Sequence, residues 1–477
     1  MSAISALAPA AVWQMFDLIC SIPHPSGHEE ALARRLREEA LKRGLSAEID
    51  AAGNLCIERP SAPGFEEVPP ILMQGHIDMV PVAAEGKSFD FTREPVTPVI
   101  DGEWVRTDGT TLGADDGVGS AMALAALFDP EFRGAALRGI FTTDEEVGMT
   151  GANGVSAKWL QGKYLLNLDG EDDFCVGCAG GARQVFAIPV ERESTPPGNG
   201  VLIRVRGMRG GHSGVEIQNR RGNALIYLVR LLDKLPVRVA SLRGGRVENA
   251  ISKEAEVHGT ALLLLGELQR RSDAFARELA QEFDAPKAFG FDVIAAESLP
   301  ETVWTMGCQN RILRALGTLP DGVLAWDAKW DMVRTSSNCA VARDEGTTLF
   351  ITTSQRSTDD RAREQASRLI AAHFCSAGAA GEVKHPYPAW RPHEKSRLLD
   401  LALKLQTELS GSPWRSYVSQ GGVEPAVFSK VNPELEILSF GPKQQDIHTP
   451  QERVEIASVS FAYRLLQRLL AALSRPA

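Results

Sequence analysis

The stretch TTDEEVGMTGA, residues 142–152, sets three acids, Asp144, Glu145 and Glu146, at the end of the apolar run LRGIF. Two other apolar runs close in the same kind of residue. His76 and Asp78 end the segment PPILMQGHIDMV (69–80), and Asp169 ends KYLLNLDG (163–170). A further acid, Asp115 in GADDG, stands just ahead of an Ala-rich segment. Carboxylates gathered together and left ionised repel one another and drive their pKa values up, so such a cluster calls for a cation. One divalent ion neutralises two carboxylates. This many acids with an imidazole fits two ions sharing a bridging Asp, as in two-metal hydrolases whose ions lie roughly 3.5–4 Å apart. Mixed imidazole and carboxylate donors favour zinc or manganese over magnesium or calcium.

For these side chains to meet, the runs that carry them must be neighbouring strands with their carboxyl ends opening on one crevice. Residues 69–80, 137–144 and 163–170 read as buried strands. Between the first two, GADDGVGSAMALAALF (113–128) reads as a helix whose small residues suit close packing on a sheet. Strand, helix, strand at this spacing implies a mostly parallel sheet with covered faces. After residue 180 the texture changes. ERESTPPGNG (191–200) is a turn, and VLIRVRGM then alternates as a half-exposed strand should. A helix over 222–235 and a strand over 254–265 extend this region, and KHPYPAWRP (384–392) closes it before a helix-rich tail.

With 477 residues, 44% of them hydrophobic, the chain can bury a large core and divide into two domains. A formal charge of −10 without a Lys/Arg-rich block argues against a nucleic-acid surface. The N-terminal MSAISALAPAAVWQMFDLIC has no Lys or Arg, so it lacks the charged region of a signal peptide and reads as a first helix. No uninterrupted apolar run approaches the roughly 18 residues of a membrane span. Seven scattered cysteines form no disulfide framework, which suggests a reducing compartment and a cytoplasmic protein. Cys175 and Cys178, in CVGC, have redox or zinc-ribbon spacing, yet no second CxxC follows, and they read as structural.

The segments SIPHPSGHEEALA, AGNL, GHIDMVP, DGEWV, GTTLGADDGVG, EEVGMTGA, LLNLDGED, GCAGG, GGHSGVEI, ENAIS and HTPQERV follow one another along nearly the whole chain. In that order they resemble the landmarks of the PepD-type aminoacyl-histidine (Xaa-His, or cytosolic non-specific) dipeptidases of the di-zinc aminoacylase and carnosinase superfamily. The resemblance implies two divalent metal ions, zinc by ligand chemistry, with manganese or cobalt as alternatives. His76, Asp115 and Asp169 would hold one ion, and Asp115, Glu146 and His448 the other. Because His448 closes the site from the C-terminal segment, the catalytic domain is expected to be discontinuous. The expected class is α/β: a mixed, mostly parallel sheet covered by helices over 1–183 and 388–477, with an inserted α+β lid and dimerisation domain over 184–387.

The same resemblance separates the two glutamates. Glu146 ligates metal, whereas Glu145 acts as general base, taking a proton from the attacking water and passing it to the leaving amine. Asp78 is expected to receive the free imidazole N–H of His76 and fix its tautomer. Asp144 is left as a solvated loop charge. His212, in GGHSG, is implied to stabilise the developing oxyanion, and Asn249, in ENAIS, to contact substrate. A cis peptide between Asp115 and Asp116 and a homodimer are also implied.

The chain departs from that family near its C-terminal end. The family's HAGLECG corresponds to QGGVEPA, so that Gln420 replaces a histidine and Pro425 a cysteine, while Glu424 is kept. GPKQQDIHTP (441–450) carries Lys443, Gln444 and Gln445 inside the family's GPT…HSP stretch. The expectation is therefore metal-dependent hydrolysis of a small peptide, with Gln420 and Glu424 as candidate substrate contacts and the preference for Xaa-His open. A tripeptidase or an N-acyl amino acid deacylase would share the ligands. A non-catalytic binding protein would share only the fold, and the intact Glu145 weighs against it.

Overall fold

All six residues of the strand Ile71–His76 are buried, which is why this run reads as continuously apolar rather than alternating. In the computed structural model, which describes residues 2–475, this strand sits inside an eight-stranded sheet. Residues 1 and 476–477, the outermost of the expected catalytic domain, lie outside the described residues. The strand order is Ser46–Ile49, Leu55–Arg59, Leu137–Thr142, Ile71–His76, Tyr164–Asn167, Glu436–Ser439, Phe174–Cys178, Ser416–Ser419. The middle four run parallel. Antiparallel pairs flank them, so the sheet is mixed with a parallel centre.

The helix Ala114–Phe128 packs on this sheet with nearly every residue buried. Two glycines permit the close approach. A Cβ on Gly75 would lie 2.2 Å from Asp116 Oδ2, and one on Gly119 would lie 2.4 Å from the Leu168 carbonyl. Ser120 Oγ then donates to the His76 carbonyl at 2.9 Å, which ties the helix to the end of the central strand.

Contacts divide the chain into two compact units. One comprises Met1–Gly177, Trp390–Val418 and Val423–Ala477, the other Cys178–Ala389 with Ser419–Gly422. The first unit ends in the helix Ile456–Leu473, whose 18 residues and mean hydropathy of 1.2 meet the length and composition of a membrane span. Its pattern is that of a core helix: Val459, Leu465, Leu466, Leu469 and Leu470 are buried, while Arg464 and Arg468 are exposed.

The second unit is built on a nine-stranded sheet whose paired strands are antiparallel. Its strands alternate in burial, as Asn199–Arg206 does, and its core joins Val201, Val239, Val257 and Phe291 to Leu228, Leu279, Ile312 and Phe374 from four helices. The strand expected over 254–265 stops at Ala261. Leu262 and Leu264 are exposed, and the helix Leu265–Leu279 begins there, because a short leucine run has no period that separates strand from helix.

Candidate active site

Gln74 lies level with Ile140 on one neighbouring strand and with Asn167 on the other, so three parallel strands end side by side. His76 is the last residue of its strand, Glu145 and Glu146 open a short helical turn beyond Thr142, and Asp169 follows just after Asn167. Asp115 comes from the start of the long helix, where it and Asp116 have non-helical backbone angles and are joined by a cis peptide. His448 arrives from the loop between Gln444–Gln445 and Arg453–Glu455, two strands of a four-stranded sheet that also contains Trp104–Arg106 and Val99–Asp101.

These residues converge. One donor atom each from His76, Asp115 and Glu146 lies within 4.8 Å of the others. His76 Nε2 is 3.2 Å from Asp115 Oδ1, and His448 Nε2 is 3.2 Å from Asp115 Oδ2 and 2.9 Å from Glu146 Oε1. Hydrogen bonds to Asp115 and Glu146 push His448 up to about 10. Burial pushes Asp115 up, but hydrogen bonds from His448 and His76 outweigh it and hold the carboxyl below its ordinary range. Burial, then the charge of Asp115, raises Asp169. Glu145 is likewise raised by burial, with His76 opposing and Asp169, Glu424 and Glu146 adding to the shift.

Among the described residues no lysine or arginine pairs with Asp115, Glu145, Glu146 or Asp169, and the cationic partners of this cluster are the imidazoles. Deprotonated, the same imidazole and carboxylate atoms form the donor set of a divalent metal, so the residues present fit one.

Around the cluster, other buried groups fix the backbone. The Asp78 carboxylate accepts from Glu145 N–H at 3.0 Å, Glu146 N–H at 3.2 Å and Ser26 Oγ at 2.8 Å. It also lies 3.4 Å from His76 Nδ1, although the Asp78 main-chain carbonyl is nearer at 3.1 Å. Burial raises the Asp78 carboxyl, but its bonds and attraction to His76 outweigh this and hold it at about 2. Asp144 is half-buried, with φ 56°, and its N–H donates to Glu29 Oε1 at 3.1 Å. Glu424 is fully buried. Its Oε2 accepts from Gln74 Nε2 at 2.5 Å and Thr142 Oγ1 at 2.7 Å, while Gln74 Oε1 accepts from Asn167 at 2.7 Å. Sequence reasoning passed over Ser26, Glu29, Gln74 and Thr142. The segments SIPHPSGHEE, PPILMQGH and TTDEEVGMTGA held them, but nothing there discloses partners so distant along the chain.

In the second unit, His212 pairs with Ala250 across a two-residue ladder, and Ser213 N–H donates to the Asn249 carbonyl at 2.8 Å. Asn249 is exposed. The N–H groups of Gly214 and Val215 both point at His212 Nδ1, at 3.3 and 3.2 Å, which assigns the ring proton to Nε2. Burial and the nearby Arg356 lower the His212 pKa and favour this neutral form. Gln420 Nε2 donates to the Val333 carbonyl at 2.7 Å, and the Gln420 main-chain carbonyl accepts from the Arg356 guanidinium at 3.1 Å.

Two of the residues that depart from the expected pattern near His448, Lys443 and Gln445, bond through their side chains within their own hairpin. Lys443 Nζ lies 3.1 Å from Glu455 and over the Trp104 ring, and Gln445 Oε1 accepts from Arg453 at 2.7 Å.

Known proteins resemble this chain along nearly its whole length. The chain is 34% identical to the cytosol non-specific dipeptidase of Escherichia coli (strain K12), over 98% of this chain and 99% of that one. It superposes on an aminoacylhistidine dipeptidase from Vibrio alginolyticus with a TM-score of 0.91 and 35% identity, covering 100% of this chain and 99% of the other. An aminopeptidase PepT from Bacillus cereus, with a TM-score of 0.57 and 14% identity over 98% of this chain and all of its own, shares the fold alone. Such a family implies use of a divalent metal. With residues 72–472 also matching the model of peptidase family M20/M25/M40, the chain belongs to that family.

Proposed function

We propose that the chain is a metal-dependent dipeptidase in which His76, Asp115 and Asp169 hold one divalent ion and Asp115, Glu146 and His448 a second. The observation that carries this reading is Asp115, which turns one carboxylate oxygen toward each imidazole, as a bridging ligand must. Imidazole and carboxylate donors make zinc the best match. Bound there, divalent ions supply Lewis-acid polarisation of the scissile carbonyl and a water acidic enough to attack near neutral pH.

The remaining chemistry belongs to the chain. Glu145 accepts the proton of the attacking water on its carboxylate and returns it to the departing amine nitrogen; a carboxyl raised by burial suits a group that must both take and give. Asp78 aims that carboxylate by holding the N–H groups of Glu145 and Glu146. His212 offers its Nε2–H to the developing oxyanion, and residues 184–387 act as an inserted lid that also forms a homodimer. Asn249, Gln420 and Glu424 complete the reading as groups that shape substrate choice. Similarity to a cytosol dipeptidase supports a cytoplasmic location.

The test is release of free amino acids from a dipeptide panel that includes β-Ala-His, using metal-stripped protein reconstituted with zinc or manganese. Metal-dependent cleavage is expected, and the ranking within the panel reads the Xaa-His preference. Hydrolysis confined to tripeptides or N-acyl amino acids would move the substrate class, and two bound ions with no hydrolysis would overturn the reading.

A further inference from the structure

Glu452 lies in the loop that carries His448, with only 2% of its surface exposed. Its carboxylate accepts four main-chain hydrogen bonds from consecutive residues. Oε2 receives Leu112 N–H at 2.8 Å and Gly113 N–H at 3.1 Å; Oε1 receives Ala114 N–H at 2.8 Å and Asp115 N–H at 3.3 Å. Successive N–H groups that converge in this way form an anion-binding concavity, and the start of the helix Ala114–Phe128 adds its positive dipole end. The concavity depends on Gly113, whose φ is 71° and whose added Cβ would come within 3.1 Å of Met79 Sδ.

We infer that Glu452 is the positioning residue that sets Asp115 against His448, by clamping the loop ahead of the long helix to the C-terminal hairpin. This rests on the reading that both residues hold metal. His448 needs such a device. Its side chain is 46% exposed, its backbone has φ 61°, and among the described residues its ring pairs with Asp115 and Glu146 alone. The position of the ring therefore follows the loop's attachment. That attachment runs through Glu452, four residues on, to the main chain of Asp115 itself. The carboxylate touches no reacting atom, and its effect passes wholly through the two ligands.

Glu452→Gln is the informative change, because it preserves size while the amide nitrogen meets two N–H donors that need an acceptor. Full-length protein, Glu452→Gln, His448→Ala and the double variant are stripped of metal, then titrated with Zn2+ by calorimetry and with Co2+ by visible absorption. We expect wild type to bind two equivalents and Glu452→Gln to bind the second about 10- to 100-fold more weakly, with an altered Co2+ spectrum. The double variant should lose less affinity than the sum of the two single losses, because the part that acts through His448 is already gone. A folded Glu452→Gln protein with wild-type affinities and spectrum, changed only in melting temperature, overturns the inference. Gly113→Ala, which closes the concavity with Glu452 intact, must give the same signature, and it decides the matter if Glu452→Gln does not fold. Wild type that binds no metal would instead defeat the reading of the site and carry this inference with it.

Discussion

Glu452 and Asp78 face main-chain N–H groups, whereas Asp115 and Glu146, a few ångströms away in the same unit, face imidazoles. The first pair accepts from fixed dipoles that cannot leave, with the His76 ring an added partner of Asp78, so these acids serve as joints between segments. The second pair is compensated by protons that a metal can displace. Burial alone does not separate a structural acid from a functional one here; the chemical nature of the compensating partner does.

The distinction is broken most directly at Asp115. Replacing it with Ala should abolish binding of both ions, measured as metal content after dialysis, because each ligand set shares that carboxylate. Glu424→Gln, at an acid held by Gln74 and Thr142, should keep both. An Asp115→Ala protein that retains two ions would erase the contrast. The next largest effect belongs to Glu145, which sits among the ligands without a place in either set. Glu145→Gln should retain two ions and lose about 10²–10⁴-fold in kcat. Loss of the ions would mean that Glu145 and Glu146 have exchanged jobs.

How much of this was legible in the sequence follows from range. The parallel strands could be read because burial on both faces leaves unbroken apolar runs, and the helix after GADDG because its small residues announce close packing. The acids at strand ends could be read because one crevice collects them. Hydrogen bonds between distant segments could not. Gln74 and Glu424 are 350 positions apart, and Glu452 and Leu112 are 340 apart, so no local pattern joins them. Lys443 to Gln445 show the opposite case. They stood out as departures beside His448, yet Lys443 and Gln445 bond to Glu455 and Arg453 of the same hairpin.

The smallest effect sharpens the comparison through pH. Burial raises Glu424 from 4.5 to about 7, with His76 and the Thr142 and Gln74 bonds opposing and Asp78 adding to the shift. A carboxyl raised in the folded state binds its proton more tightly there. Its contribution to stability is therefore present below pH 4.5 and lost as pH rises to about 7. His448, raised from 6.5 to about 10, contributes below pH 6.5 and loses that contribution up to about 10. Metal-stripped protein should thus weaken as pH rises from 4.5 to 10, read by denaturant titration, with the Asp169 and Glu145 carboxyls that burial raises adding to the loss. Glu424→Gln should remove its own share of the early loss, on the order of a few kcal/mol for a fully buried group. The share of His448 should be smaller, since solvent screens the half-exposed imidazole. Bound metal should reverse its sign, because only neutral His448 can ligate and rising pH then favours the folded, loaded form. If parent and Glu424→Gln weaken alike at every pH, Glu424 does not titrate in this window and belongs with the acids held by fixed dipoles.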